Sequence, residues 1–438
     1  MTTAAPTRTL SEVGAPRGLT RSTVDAVRVR GTGIAFWAAV AAVVIASLPA
    51  VPGVGGGEVR PIDIFGIFMW GVVLSSSGGR LARILILLGV VIVSTGVAAI
   101  WLYPSNVLAT QGLLTVRFLF VFGTLAAVYV ARVESARAKQ LLAVCTIASV
   151  ASCVTSIAGY RANLPATYAH QTFSDGTRGG MIHRLGGWVG ESGAYGALAV
   201  VAAFALAISM ARTRLRMVGY AIAAALLLVS YALSLARVCL IGAAVLVVCI
   251  VIAERRRPAF WLLLLPLGIL TLIALISFGV IPSFTPQSLS RLDLANGNVT
   301  SGRVEHWEGI FHGMIQNGAW TSGLGIRGAD AVFHLPTENF FVAAFADFGV
   351  ILGTVYLLIV AKIWFDLARD AGRIPDAGTR VMTRGLLAAV MLLWMFNDVT
   401  SYFQAFPLFA LTLGAALSLG SPAATPLRGA VQSSKSFG

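Results

Sequence analysis

A chain of 438 residues with 57% hydrophobic and 11% charged side chains, and a mean hydropathy of +0.84, carries more apolar surface than a water-soluble globule can bury. Lipid is therefore the solvent for most of it. The formal net charge of +14 sits in short basic clusters between apolar runs, with no aromatic-interleaved basic surface, so it reads as a topology signal and not as a nucleic-acid footprint.

In chain order, residues 1–32 are polar with Pro and Gly and read as a disordered cytoplasmic tail. A bilayer span needs about 20 largely apolar residues, and about twelve windows qualify when the chain is cut at charges, prolines and Gly/Ser clusters. They are Gly33–Val51, Pro61–Ser77, Leu81–Leu102, Gly112–Val130, Leu141–Ala158, Gly190–Met210, Met217–Leu235, Val238–Ala253, Ala259–Ile281, Asn339–Val360, Gly385–Ser401 and Ala405–Gly420. The first is longer than a signal-peptide core and lacks a convincing cleavage site, so it is read as retained. Residues 33–281 thus hold nine spans, 282–338 a large extracytoplasmic loop, 339–420 three more spans and 421–438 a second cytoplasmic tail.

Basic residues recur in every second connection: Arg80/Arg83, Arg132/Arg137/Lys139, Arg212/Arg214/Arg216, Arg255/Arg256/Arg257 and Arg369/Arg373/Arg380/Arg384. The positive-inside rule puts these clusters and both termini in the cytoplasm. The fold expected is an all-α polytopic membrane protein. Cys145, Cys153, Cys239 and Cys249 all lie in apolar stretches, which suggests neither a disulfide framework nor a zinc site.

Two outer connections are long, 160–189 and 282–338, and long loops between compact spans tend to be functional. In the larger one, Ser301–His312 places Val304, Trp307, Ile310/Phe311 and Met314 at helical spacing, an amphipathic helix lying on the membrane or over a cavity. Arg303 at its start either grips phosphate oxygens with its planar fork or anchors the helix to headgroups. His334-Leu-Pro-Thr-Glu-Asn339 then runs into an apolar window. Glu338 can take a proton from an incoming hydroxyl, and His334 can do the same or orient it; the plainer role is a helix cap by Glu338 or Asn339.

Arg237 interrupts two apolar windows alone, which marks either a site or a snorkelling turn residue. Arg184 precedes a Gly-rich run ending in Glu191-Ser192, where Glu191 is read as a cap before a catalyst. His306 within the amphipathic helix, Asn339 and Arg117 are counted as supporting residues. No nucleotide-binding loop, zincin motif or nucleophile elbow is present, and the sequence shows no paired outer carboxylates that would cage a divalent cation. No cofactor and no metal are expected.

The order of these features resembles the O-antigen ligase/polymerase family of bacterial membrane glycosyltransferases. The pieces are Arg184-x-x-Gly, Ser-x-x-Arg237, Gly302-Arg303 through Trp307 and Gly323-x-Gly325 to Glu338-Asn339-Phe340, and Asp347-Phe-Gly349. Many relatives have His-Asn where this chain has Glu338-Asn339, and a proline often found before the Gly-x-Gly element is missing here. The resemblance implies an architecture similar to the multi-span (GT-C-like) polyprenyl-linked glycosyltransferases, in a bacterial cytoplasmic (inner) membrane with an extracytoplasmic active site. It implies arginines, here Arg303, Arg237 and Arg184, that hold the donor diphosphate, and Glu338 or His334 near the acceptor. The reaction implied is metal-independent, inverting transfer of a glycan from undecaprenyl diphosphate to an acceptor-glycan hydroxyl, a cell-surface polysaccharide polymerase. A ligase onto a lipid or protein acceptor shares this chemistry, and a transporter or flippase of lipid-linked glycan or another anion is the alternative of another class. Partners implied are the lipid-linked donor, the acceptor glycan, the bilayer and other polysaccharide assembly proteins.

Overall fold

The computed structural model describes residues 135–173, 180–255, 303–335, 337, 339–395 and 405–420, with shorter stretches between residues 37 and 97. Arg117, Glu338, the side chain of Arg303 and most of the first four and all of the ninth expected spans lie outside the described residues.

The described chain is mostly helical. Two short strands, β1 (Val51–Pro52) and β2 (Glu58–Val59), pair antiparallel ahead of the helices. Then come α1 (Ser135–Arg161), the strands β3 (Tyr168–Phe173) and β4 (Gly180–Leu185), α2 (Ser192–Met210), α3 (Arg216–Ser234) and α4 (Arg237–Glu254). After the undescribed stretch follow α5 (Arg303–Gln316), α6 (Gly328–Phe333), α7 (Phe340–Ala371), α8 (Ala377–Trp394) and α9 (Ala405–Ser418). Among the described residues, five helices are long and apolar enough to cross a membrane: α1 from Arg137, α2, α3, α4 and α7. The described residues are consistent with the all-α membrane class expected; within it the smaller outer connection folds as the β3–β4 hairpin, whose residues satisfy their backbone groups with each other.

α2 is apolar on every side and sits at the centre, packed on α1, α3, α4, α8 and α9. Its run of alanines lets neighbours approach closely, and Gly196 lies directly against Ala236 and Val238 at the start of α4. Lipid offers no hydrophobic drive between spans, so this close packing holds the bundle together.

One end of the bundle is rich in arginine. There Arg216 grips the buried Glu254 with Nε at 2.9 Å and Nη2 at 3.2 Å, tying α3 to α4. Arg212 lies 3.9 Å from Asp376, whose other contacts cap α8 by accepting from the Thr379 N–H at 2.7 Å. Lys362 pairs with Asp366 and Arg373 with Asp370 at the same end of α7.

The span expected to start at Asn339 begins as foreseen but is not straight. At Gly349, φ is 72° and ψ 175°, so α7 has two arms, Phe340–Phe348 and Val350–Ala371. In a straight helix Phe340 and Tyr356 would stand about 24 Å apart along the axis; here their rings are 5.7 Å apart. The Ala344 carbonyl lies 2.8 Å from where a Gly353 Cβ would be. The first arm therefore folds back against the second. The second arm, about 33 Å long, is enough to cross the hydrocarbon core by itself.

The fold-back breaks the helical hydrogen bonds, and a turn following α5 repairs them. Leu324 N–H donates to Ala346 O (2.8 Å), Gly325 N–H to Asp347 O (3.0 Å) and Val350 N–H to Trp320 O (3.0 Å). Gly323 and Gly349 meet backbone to backbone: a Cβ on Gly349 would lie 2.6 Å from Gly323 N. Both have positive φ, which L side chains enter only at a cost.

Gly349→Ala should lower the apparent melting midpoint in detergent markedly, since about 1–3 kcal/mol of backbone strain is added to a clash with immovable backbone. Gly318→Ala, at φ 66° with open space around it, should show the strain alone and a smaller drop. Equal drops for the two would contradict the docked-turn picture.

Candidate functional site

The end opposite the arginine-rich one carries Arg184 and Arg237. β4 packs on the ends of α1, α2 and α3 there, and carries Arg184 opposite Ala169 in the hairpin register. Arg184 is 5% exposed, a guanidinium held in the interior next to the fully buried Leu185. Gly186 and Gly187 follow, packed against Ala169 N and the Tyr195 ring. Glu191 occupies the N-cap position of α2, but its side chain makes no capping hydrogen bond and is exposed.

Arg237 opens α4 one residue after its N-cap, Ala236. The connection from α3 is only Leu235 and Ala236: Leu235 turns left-handed at φ 53°, and the buried Ser234 hydroxyl accepts from Ala236 N–H at 3.2 Å. The buried Tyr195 hydroxyl bonds Ser230 Oγ at 3.1 Å one turn earlier on α3. Arg237 is half-buried at this tight corner. Arg184 and Arg237 thus share one end of the α1–α4 bundle through α3.

The second group surrounds the α7 fold-back. α5 forms as the amphipathic helix expected, with Ile310 and Met314 fully buried beside Leu324, Ala329 and Ala346. Stepping back by three and four residues along that buried stripe reaches Trp307, then Arg303. Trp307 Nε1 donates to Thr337 O at 2.7 Å, which holds the first turn of α5 against the chain just before Glu338. His306 is half-buried next to it.

On the other side of Glu338, Asn339 is buried and fully used. Its Oδ1 accepts from Phe341 N–H (2.8 Å) and Val342 N–H (3.0 Å), and its Nδ2 donates to Met395 O (2.8 Å) at the end of α8. The capping role weighed for Glu338 or Asn339 therefore falls to Asn339. Phe340 stacks on Trp394 at 4.4 Å and lies beside Tyr356, about 10 Å along the second arm from Gly349.

α6 stops at Phe333, and His334 caps it in the left-handed region at φ 56°, its N–H donating to Asp330 O at 3.1 Å and its side chain exposed. The Trp307–Thr337 tie, the Asn339–Met395 tie and the Gly349 fold-back were not foreseen. The paired glycine elements, Gly323-x-Gly325 and Asp347-Phe-Gly349, were the only sequence signal of the fold-back. Among the described residues no group of three or more His, Cys, Asp or Glu is placed to hold a metal ion.

No family model matches the chain, and no curated protein does. Three solved chains match. One, from a peptidoglycan synthase complex described for structural coordination of polymerization and crosslinking, aligns over 76% of this chain and 96% of its own length at 13% identity, with a TM-score of 0.39. A likeness at that score carries no argument about the site.

Asn339→Ala should cost about 1–2 kcal/mol by removing the cap. Asn339→Asp should cost at least as much although aspartate is a good cap, because a buried carboxylate would face Met395 O in place of a donor. Thermal melting of the two variants in the same detergent checks this; an Asp variant as stable as wild type would refute it.

Proposed function

We propose that this chain is a membrane glycosyltransferase that moves a glycan from a polyprenyl diphosphate carrier to a hydroxyl of an acceptor glycan, a polysaccharide polymerase without a metal requirement. The single observation that carries the reading is the Trp307–Thr337 hydrogen bond. It holds the turn that begins with Arg303 beside the chain positions flanking Glu338, as a phosphate-binding group and a base serving one substrate require. The arginine-rich end is assigned to the cytoplasm, so this site opens on the extracytoplasmic side.

In this reading Arg303, Arg237 and Arg184 neutralise the diphosphate as it departs. Fixed guanidinium groups in a water-poor setting can stabilise a leaving phosphate without a cation. Glu338 removes the proton from the acceptor hydroxyl as it attacks the anomeric carbon from the face opposite the diphosphate, which inverts the configuration. His334, exposed at the end of α6, is better placed to meet the acceptor glycan in water than to act as that base.

The transporter alternative draws on one observation, the broken α7, since broken helices supply binding sites in many transporters. Here the carbonyls freed at Ala346 and Asp347 accept from Leu324 and Gly325, so the chain's own turn occupies the break. That favours the transferase.

Purified protein in lipid nanodiscs, supplied with a polyprenyl diphosphate-linked oligosaccharide, should lengthen the glycan and release the carrier. Arg303→Ala and Arg237→Ala should each slow the reaction roughly 100-fold or more, the usual size of losing a charge-stabilising donor. Carrier release with glycan joined to a lipid or protein acceptor would favour the ligase; movement of intact donor across the bilayer without turnover would sink the enzyme reading.

A further inference from the structure

The outward faces of α7 and α8 can be followed residue by residue, and both end on an arginine. Along the second arm of α7, Ile351, Leu358 and Phe365 are exposed, and Arg369 continues the same face one turn further on. On α8 the exposed run is Met395, Met391 and Ala388, and Arg384 ends it. The two helices are neighbours. Trp364 packs on Trp394 at 4.5 Å between centroids, and at the arginine-rich end the Arg384 guanidinium lies over Gly372. A Cβ on Gly372 would come 2.5 Å from Arg384 Nη2 and 3.0 Å from Arg369 O. Gly372 has ordinary helical angles, φ −62° and ψ −21°, so its missing side chain serves to make room for that guanidinium.

Positive charge is left over at this corner. Lys362 pairs with Asp366, Arg373 pairs with Asp370 at 2.7 Å, and Asp376 accepts from the Thr379 N–H. Arg369 comes only within 3.7 Å of Asp366, which Lys362 already holds, and among the described residues Arg384 has no carboxylate at ion-pair distance. We propose that the α7–α8 corner binds an anionic phospholipid of the adjoining leaflet: Arg384 and Arg369 hold its phosphate, and its acyl chains lie along the Phe365 and Ala388–Met391 faces. A guanidinium fork matches phosphate oxygens in pairs, and the attraction is strengthened at the edge of an apolar surface. Basic corners between spans suit anionic headgroups for this reason. The plainer role is snorkelling, each arginine reaching whatever headgroup is nearest. Snorkelling alone requires neither the gap at Gly372 nor two arginines ending adjacent faces. The site stands whether or not the chain transfers a glycan.

The test titrates the full chain, in an uncharged detergent, with phosphatidylglycerol or with phosphatidylcholine of the same acyl chains, and counts bound lipid by native mass spectrometry. Phosphatidylglycerol should bind at least about fivefold more tightly than phosphatidylcholine. Arg384→Gln and Arg369→Gln should each weaken phosphatidylglycerol binding about fivefold, while Arg214→Gln, an exposed arginine of the α2–α3 turn, should leave it within about twofold. Glycerol phosphate, which has the headgroup chemistry without the chains, should not displace the lipid at equal concentration. Without added lipid, Arg384→Gln should melt near wild type. Equal binding of the two lipids overturns the proposal, and so does equal weakening by Arg214→Gln and Arg384→Gln. Displacement by glycerol phosphate overturns the lipid as occupant, and a melting drop in Arg384→Gln that added phosphatidylglycerol does not alter returns that residue to capping α7. Arg369→Gln, whose side chain is 57% exposed, keeps the test open if Arg384→Gln fails to fold.

Discussion

The constraint on which the site depends is the fold-back of α7 at Gly349. A helix cannot reverse without leaving carbonyls and N–H groups unpaired, and in lipid each would cost several kcal/mol. Here the stretch from Trp320 to Gly325 supplies the missing partners, and it can do so only because Gly323 and Gly349 have no side chains to keep the two backbones apart. Once that joint is made, α5 has a fixed surface to lie on, the first arm of α7 has a fixed direction, and Asn339 is carried to the end of α8.

This arrangement links local chemistry to long-range structure. The buried stripe of α5, Ile310 and Met314, packs with Ala346 in the first arm, and Trp307 one turn earlier on α5 is half-buried. Phe340 on Trp394 and Phe348 on Tyr356, the latter 4.6 Å between centroids, seat the arm against α8 and against its own second half. At the other end of the bundle, Arg216 with Glu254 and Arg212 near Asp376 join connections far apart in sequence, giving the helices a second fixed end. The arm between those ends is held by ring stacking and backbone hydrogen bonds, with little freedom to drift.

Much of the helical core was legible in sequence, because apolar length is read directly. The windows Gly190–Met210, Met217–Leu235 and Val238–Ala253 fall within two residues of α2, α3 and α4 at each end. The Gly385–Ser401 window was placed late: α8 starts at Ala377, since Asp376 caps it and the first turns carry Thr379, Arg380, Thr383 and Arg384, which hydropathy discounts. The amphipathic α5 was readable from its period, whereas the β3–β4 hairpin was not, because its strands lack apolar alternation on either side of the Asp175-Gly176 turn signal. Beyond the paired glycine elements the fold-back was not readable: Gly349 lies inside a span-length apolar window, and the turn from Trp320 to Gly325 that explains its conformation is remote in sequence. Of the site residues, Asn339 was one of two candidate caps and is the cap, while His334, left open as base or orienting group, ends α6 with its side chain exposed. Arg184 and Arg237 come to the same bundle end through β4 and α3, a proximity that no local pattern encodes.

The central claim is that two separately built parts, the α3–α4 corner with Arg237 and the α5–α7 corner with Arg303 and Glu338, serve one diphosphate. An electron cryomicroscopy structure of the chain with a polyprenyl diphosphate bound tests it directly. The account predicts the diphosphate oxygens within hydrogen-bond distance of both the Arg237 and Arg303 guanidinium groups, with Glu338 on the opposite side of the anomeric position. A diphosphate held by one corner alone, with the other arginine turned to lipid or solvent, would contradict it.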